Sequence, residues 1–357
     1  MKIAFLTLYS GVVNRGVETF VKELANRLAV NNEVDVYQSG TPIGNEKYQV
    51  KKIDLILDWN NKDSTLTLRR LFFLDYWSRL IFKFTCLCFG SLRKGKYDII
   101  IPTDGGWEKP LCLLLKIFTG AKIIVSGQSG MGYDELWNLL WRPDAFIALT
   151  DKAKNWAKKI GFGVRVEKIP NGVDLDKFNL KVKPLSLKLP HPVILCASAL
   201  VFSKRIDLTI KAVAKLPNVS LLVVGDGGER EKLEKLGNNL LPGKFMLLKA
   251  KYEEMPSIYR SADLFTMVSY SSEAFGIVYV EAMACNLPIV ATDDEMRHEI
   301  IGEAGLFVDP KDIDEYAKKL DEALKTKWGD KPRIQAEKFS WDEIAKKYEG
   351  VMLEVLK

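Results

Sequence analysis

Ser271-Ser-Glu-Ala-Phe-Gly-Ile-Val-Tyr-Val-Glu-Ala-Met-Ala284 sets two glutamates, Glu273 and Glu281, eight residues apart across a Phe275-Gly276 step. The apolar run Leu264-Phe-Thr-Met-Val268 precedes it and Leu287-Pro-Ile-Val-Ala-Thr292 follows. That order predicts strand, loop, helix and strand, with Glu273 in the loop and Glu281 on the helix. A helix starting near Phe275 aims unpaired N–H groups and its positive dipole end at the strand's carboxyl end, where anions bind. Ionised carboxylates accept from hydroxyl groups through two oxygens and donate nothing. A phosphate site flanked by hydroxyl readers points to a sugar nucleotide. Glu281 lies within an otherwise apolar Val-Glu-Ala-Met-Ala, where an acid without a partner is costly. Glu273, beside Ser271 and Ser272, reads equally well as a helix-capping acid.

The same alternation extends in both directions. Short apolar runs recur at Ile3–Leu8, Glu33–Tyr37, Tyr97–Ile101, Lys122–Ser126 and Ala145–Leu149, separated by helical patterns. They recur again at Val193–Ala197, Ser220–Val224, Lys244–Leu248, Leu264–Val268 and Pro288–Ala291. Unbroken apolar strands between helices predict parallel sheets covered on both faces. At 357 residues the chain exceeds what one core usually supports, so two doubly wound α/β domains are expected. The first covers residues 1–171 and the second 193–338, with a linker at 172–192 punctuated by Pro184, Pro190 and Pro192. Ligands of such sheets lie outside the carboxyl ends of the strands, and a cleft between two domains is the natural place for one. The tail, residues 339–357, predicts a helix capped by Ser340, with apolar positions 341, 344, 348, 351 and 355 on one face. Gly225-Asp-Gly-Gly228 reads as a plain turn before a helix.

Composition excludes several classes. Apolar residues make up 47%, enough for ordinary cores, yet no uncharged apolar run reaches 18 residues, so no transmembrane helix is expected. Met1-Lys-Ile-Ala-Phe-Leu-Thr-Leu8 is too short for a signal sequence, lacks a small-residue cleavage site, and reads as a buried strand. Five cysteines lie mostly in apolar runs and two histidines stand apart, which gives no zinc spacing and fits a reduced, cytoplasmic compartment. Between residues 68 and 96 stand Arg69, Arg70, Arg79, Lys83, Arg93, Lys94 and Lys96 against Asp75 alone, among many aromatics. That local net charge equals the +6 of the whole chain, so the remainder is balanced and offers no surface for nucleic acid. As a helix, the segment would put Arg69, Asp75, Arg79 and Lys83 on one face and most apolar side chains opposite. It reads either as a surface helix packed on its sheet or as one lying on an anionic membrane.

Further motifs fall in a fixed order. Asn14-Arg-Gly-Val-Glu18 follows the first strand, and Ile169-Pro-Asn-Gly-Val-Asp-Leu-Asp-Lys-Phe178 stands at the seam. Then come Ala199-Leu-Val-Phe-Ser-Lys-Arg-Ile-Asp-Leu208, Val224-Gly-Asp-Gly-Gly-Glu-Arg230, the glutamate stretch and Phe339-Ser-Trp341. In this order they resemble the retaining, nucleotide-sugar-dependent glycosyltransferases of family GT4, built on two facing Rossmann-like domains (the GT-B fold). The resemblance spans the chain, strongly from Ile169 onward and weakly between residues 40 and 140.

The resemblance implies an acceptor-binding first domain, a donor-binding second domain, and a C-terminal helix crossing back onto the first. It implies that Glu273 faces the donor sugar and that Ala274, Phe275, Gly276 and Ile277 form the backbone turn under the diphosphate. Glu281 would hold the ribose, Lys204 would contact the diphosphate, and Tyr252 would lie near the base. Gly16 would let the first domain's loop approach the donor, having no Cβ to obstruct it. Negative charge builds on the departing diphosphate, and Lys204, Arg205 and the helix start near Phe275 would stabilise it. No Asp-x-Asp pair stands at a strand end, so a metal-independent reaction is expected, with no cofactor besides a donor such as a UDP- or GDP-hexose. A glycan or lipid-linked glycan is the implied acceptor, with retention at the anomeric carbon; the membrane reading of residues 68–96, taken with a cytoplasmic compartment, would put the chain on the inner face of the cell membrane.

Two positions depart from the family pattern. Ala199 stands where an arginine is common, which leaves Arg205 as the second cation. Gln128, in Ser126-Gly-Gln-Ser-Gly-Met-Gly132, stands where many relatives carry a sugar-facing histidine; it reads as a sugar contact or as a simple loop residue. These departures keep open a non-catalytic family member acting as a membrane-associated scaffold. A glycosidase would explain paired acids but not the phosphate architecture. A dehydrogenase lacks its Gly-x-Gly-x-x-Gly after the first strand.

Overall fold

The apolar runs become parallel strands buried on both faces, as expected for sheets sandwiched between helices. The computed structural model describes residues 1–13, 15–42, 44, 46–58, 72–270 and 273–357, and these divide into two compact units. The first comprises Met1–Asn171 together with Trp341–Lys357, and the second comprises Gly172–Ser340.

In the first unit the strands are β1 (Lys2–Leu6), β2 (Glu33–Gln38), β3 (Gln49–Lys52), β4 (Ile99–Pro102), β5 (Lys122–Ser126), β6 (Ala145–Ala148) and β7 (Val166–Lys168). They form one parallel sheet in the order β3-β2-β1-β4-β5-β6-β7. Its helices are α1 (Gly16–Leu28), α2 (Tyr76–Gly95), α3 (Glu108–Thr119), α4 (Tyr133–Leu140) and α5 (Asp151–Ile160). The direction of winding changes between β1 and β4, which opens a crevice at the carboxyl ends of those two strands.

The second unit repeats the plan with six strands, β8 (Val193–Ala197), β9 (Ser220–Val224), β10 (Phe245–Leu248), β11 (Leu264–Met267), β12 (Ile289–Thr292) and β13 (Gly305–Val308). Their order is β10-β9-β8-β11-β12-β13, again all parallel, with the change of direction between β8 and β11. The helices are α6 (Ile206–Val213), α7 (Arg230–Leu240), α8 (Met255–Tyr259), α9 (Ile277–Ala284), α10 (Glu295–Ile301), α11 (Ile313–Lys325) and α12 (Lys331–Glu337).

The last helix, α13 (Trp341–Leu356), belongs to the first unit's core. Trp341, Ile344, Tyr348 and Met352 are buried with Ile3, Phe5 and Phe20. Phe20 lies 6.2 Å from the Trp341 ring and 5.8 Å from that of Tyr348. Arg27 adds a 2.6 Å ion pair to Asp342, and Ser126 Oγ meets the Tyr348 hydroxyl at 2.9 Å. The apolar stripe of the tail therefore finds its surface on α1 and the sheet.

The structure differs from the sequence reading in three respects. Three strands, β3, β7 and β13, have no counterpart among the ten apolar runs, so the run Lys122–Ser126 is the fifth strand and not the fourth. They are three or four residues long and end on sheet edges, where no long apolar run is needed. Residues 172–192 fall inside the second compact unit: Phe178 is fully buried and Leu185 N donates to Ser257 O.

The third difference concerns the basic segment. Its helix begins only at Tyr76, and Asp75 is the buried N-cap whose carboxylate accepts from Ser78 N and Ser78 Oγ. Arg69 and Arg70 lie outside the described residues. The exposed stripe of α2 runs through Arg79, Phe82, Lys83, Leu87, Arg93 and Lys94, so cations and apolar chains share a face instead of opposing one another.

Because α13 completes the first core, Trp341→Ala is expected to cost about 3–5 kcal/mol, the range for a buried aromatic replaced by alanine. Guanidinium unfolding followed by fluorescence measures this; a loss below about 1 kcal/mol would show that α13 is not integral to that core.

Candidate functional site

Residues that the sequence scatters over 80 positions meet at the carboxyl ends of β8 and β11. The chain leaving β8 makes a short 3-10 turn over Phe202–Lys204, and Arg205 follows with φ +51°. Lys204 Nζ forms an ion pair with Glu273 Oε2, so the two cross the crevice between β8 and β11. Glu273 is placed by its own N–H, which donates to Tyr270 O at 3.1 Å. Ser271 and Ser272 lie outside the described residues.

The loop after β11 is held by two arginines. Arg205 Nε donates to Val268 O at 2.7 Å, while its Nη2 donates to Ser269 O at 2.9 Å and to Thr292 Oγ1 at 3.2 Å. Its guanidinium also lies 4.6 Å from the Tyr270 ring centre. Arg205 is thus spent largely on its own loop, and burial lowers its pKa. Arg297 on α10 is wholly buried; its Nη2 donates to Ser269 Oγ at 2.6 Å and to Tyr270 O at 3.1 Å. Its Nη1 pairs with Asp294, which also caps α10. Tyr279 links this cluster back to the strand, donating to Met267 O at 2.7 Å. No motif singled out Arg297, because its partners other than Asp294 lie 18 to 28 residues away and become neighbours only after β12 pairs with β11.

Gly276 precedes α9 with φ +80°, and a Cβ there would lie 2.7 Å from the Tyr279 ring. Glycine is therefore required by backbone and by space. It leaves the start of α9 without a side-chain cap, so that N–H groups and positive dipole remain there for an anion. Phe275 is buried on the Phe339 ring at 5.8 Å, Ile277 is buried, and Ala274 is half-buried. Glu281 sits one and a half turns into α9, buried, and its Oε2 accepts from the Tyr259 hydroxyl at 2.8 Å. That bond is the partner the apolar helix demanded. Phe178 packs between Tyr259 at 5.9 Å and Tyr252 at 5.8 Å, so an aromatic row connects Tyr252 to the Glu281 partner. Lys177 Nζ lies 3.8 Å from the Tyr252 ring centre. The turn at Gly225 and Gly227 is a packing device: Cβ atoms there would meet Ser198 O at 1.9 Å and Leu200 O at 2.5 Å.

The sequence and the fold are matched by known proteins. Residues 178–340 fit the family described as Glycosyl transferases group 1, and residues 14–177 fit Glycosyltransferase Family 4. The chain belongs to the family 4 glycosyltransferases. It is 32% identical over 177 residues to a GDP-mannose-dependent monoacylated alpha-(1-6)-phosphatidylinositol monomannoside mannosyltransferase of Corynebacterium glutamicum, covering 44% of this chain and 46% of that protein. It is 29% identical over 256 residues to a GDP-mannose-dependent alpha-(1-6)-phosphatidylinositol monomannoside mannosyltransferase of Mycolicibacterium smegmatis, covering 62% and 66%. The chain thus spans about half to two thirds of the length of these relatives. Sucrose-phosphate synthase from Thermosynechococcus elongatus superposes with a TM-score of 0.79 at 19% identity, over 99% of this chain and 98% of that one. Anabaena HepE in complex with UDP and glucose gives 0.77 at 18%, over 99% and 100%. Both show the fold, which is GT-B.

In this family 4 chain the first-unit positions take distinct surroundings. Gly16 is exposed as the first residue of α1. Gln128 is engaged: it exchanges two amide hydrogen bonds with Asn171, at 2.9 and 3.0 Å, and also donates to Ser126 Oγ at 2.9 Å. Both amide hydrogens of Gln128 are therefore committed within the protein, leaving one acceptor lone pair for anything else. Among the described residues no group of three or more His, Cys, Asp or Glu side chains is arranged to hold a metal ion.

Arg297→Leu is expected to lower stability by about 3–5 kcal/mol, since it strands Asp294 and uncovers the Ser269 and Tyr270 carbonyls. Denaturant unfolding measures it. A loss under about 1 kcal/mol would mean that the loop after β11 does not depend on this side chain.

Proposed function

We propose that this chain transfers a hexose from a nucleoside-diphosphate sugar to a saccharide or lipid-linked saccharide, with retention at the anomeric carbon and without a metal ion. The Lys204–Glu273 pair at the uncapped start of α9 carries this reading. It sets a cation and bare N–H groups where a diphosphate would lie, beside a carboxylate suited to sugar hydroxyls. The names of the mannosyltransferase relatives, and HepE's complex with UDP and glucose, support a nucleotide-sugar donor.

In the reaction, the bond between the anomeric carbon and the β-phosphate oxygen breaks, and its electron pair leaves with the phosphate. Lys204 and the α9 N–H groups stabilise the growing charge without rearranging. The acceptor hydroxyl bonds to the same face of the carbon and passes its proton to the departing phosphate oxygen. Glu281, held by Tyr259, is placed for the ribose hydroxyls, and Tyr252 for the base. Arg205 serves by fixing the loop that bears Glu273. UDP or GDP should raise the melting temperature, because a ligand specific to the folded state stabilises it. Lys204→Ala and Glu273→Ala should each cut turnover of a UDP- or GDP-hexose about 10²–10³-fold. No stabilisation by either nucleotide, or unchanged turnover in both variants, would overturn the reading.

The same proposal places the protein in the cytoplasm, against the inner face of the membrane that would carry a lipid-linked acceptor. No helix among the described residues is long and apolar enough to cross a membrane. The exposed stripe of α2 is continuous with α3, where Leu114, Ile117 and Phe118 are exposed. Phe118 joins the helices, 6.4 Å from the Phe89 ring and 5.2 Å from the Arg93 guanidinium. Helix α2 carries no carboxylate, and Glu108, the acid of α3, is wholly buried. A basic, apolar face without acids suits an anionic bilayer. Sedimentation with phosphatidylglycerol vesicles should weaken about thirtyfold in Lys83→Ser/Arg93→Ser, at about 1 kcal/mol per cation. Unchanged binding would remove the membrane role.

A further inference from the structure

Helix α9 carries Glu281, and one short stretch of chain near the beginning of the second unit, residues 173–178, is fastened to it at three levels. Beside the start of α9, Val173 N donates to Phe339 O at 2.8 Å, and the Phe339 ring packs on Phe275 at 5.8 Å. Further along, the fully buried Phe178 ring lies 5.9 Å from Tyr259, whose hydroxyl donates to Glu281. At the far end Arg333, on α12, holds both partners at once. Its Nη1 donates to Phe178 O at 2.8 Å and to the carbonyl oxygen of Ala284, the last residue of α9, at 2.9 Å. Its Nη2 reaches Leu175 O at 3.4 Å. Residues 173–178 form a strap, and Arg333 is its clasp.

The clasp is fixed from behind. Arg333 Nε donates to Glu337 Oε1 at 3.2 Å, and its backbone N–H donates to Asn286 Oδ1 at 3.2 Å. Asn286, just past the end of α9 with φ +63°, donates in turn to Gly329 O at 3.0 Å. The turn of the strap is built by Asp174. Its Oδ1 accepts from Asp176 N at 3.0 Å and Lys177 N at 2.9 Å, and its carbonyl accepts from Phe178 N at 2.8 Å. The strap's remaining carbonyls need donors once they leave water, and the guanidinium supplies them. A lysine there would keep the charge without the flat, forked set of donors that spans strap and helix together. The cation also lies at the negative end of the α9 dipole, opposite the end with bare N–H groups. Arg260 adds a second one, donating to Cys285 O at 3.3 Å.

We propose that Arg333 is a positioning residue for the donor nucleotide: by clasping residues 175–178 to α9 it sets the Phe178 ring, and through that ring the Tyr259–Glu281 pair on the ribose side and Tyr252 on the base side. This rests on the glycosyltransferase reading. Phe178 lies between Tyr259 and Tyr252, at 5.9 and 5.8 Å, so a slack strap disturbs both rings together. Glu281 then keeps its charge and loses its aim at the ribose hydroxyls. Arg333 acts through these side chains and not on the nucleotide.

The experiment uses the full chain, its Arg333→Lys, Phe178→Leu and Glu337→Gln variants, and titration calorimetry with UDP, GDP and the 2′,3′-dideoxy form of each. The readout is the ribose preference, the ratio of the dissociation constants of the dideoxy and ordinary nucleotides. The parent chain should show a preference of about tenfold or more, as hydrogen bonds to a carboxylate give. Arg333→Lys and Phe178→Leu should each cut it by about threefold or more, because small misplacements of a binding group are costly. Glu337→Gln leaves the three carbonyl bonds in place and should keep the parent's preference. An arginine that served stability alone would lower the melting temperature in Arg333→Lys without moving the ratio, which compares two ligands on one folded protein. That result would overturn the inference, as would a parent chain with no ribose preference. Should Arg333→Lys not fold, an unchanged ratio in Phe178→Leu overturns it instead. A parent chain that binds neither UDP nor GDP would sink the glycosyltransferase reading itself, and this inference with it.

Discussion

Three successive carbonyls, those of Val268, Ser269 and Tyr270, receive guanidinium N–H groups, and the second unit's site depends on that arrangement. A loop leaving a buried strand must find donors for its backbone oxygens, or lose the cost of stripping them of water. Arg205 and Arg297 supply them from two different elements, so the loop cannot shift toward one without losing the other. A planar fork of donors can serve several oxygens at once, which an ammonium cannot. The consequence reaches Glu273, whose backbone is tied to Tyr270 O, and then Lys204, which meets the Glu273 carboxylate. The charged pair is thus the visible end of a backbone constraint.

The two units apply one sheet plan to different electrostatic ends. Each reverses its winding beside its first strand, and each places an acidic side chain across the reversal. In the second unit the acid meets a partly exposed lysine beside a bare helix start. In the first, Asp104 meets the backbone N–H of Leu8, with the nearby Lys109 already consumed by a second acid, Glu108. The crevices are alike in topology and differ in how their acids are paired.

Much of this was legible along the chain because it depends on local pattern. The apolar runs around the two glutamates specify strand, loop, helix and strand, and the stripe at 341, 344, 348 and 351 specifies a packed helix. What escaped depends on distant partners. Arg297 looks like an ordinary helical arginine until β12 brings it beside Ser269. Gln128 looks available for a sugar until Asn171, 43 residues on, takes its amide. Asp75 reads as a face residue if the helix is drawn from 68, and as a cap once the helix starts at Tyr76. The edge strands β3, β7 and β13 are too short to leave a periodic signal, and β3 and β7 are polar besides.

The return of α13 to the first core also orders events in time. Residues 341–357 are synthesised after the whole second unit, yet they supply Trp341, Tyr348 and Met352 to the core around β1 and α1. A nascent first unit therefore presents an open apolar seam on α1 while some 169 further residues emerge. Domains generally fold in order of synthesis, and exposed apolar surface invites aggregation. Here the second unit can close first, and the earlier-made one waits on the ribosome for its last helix.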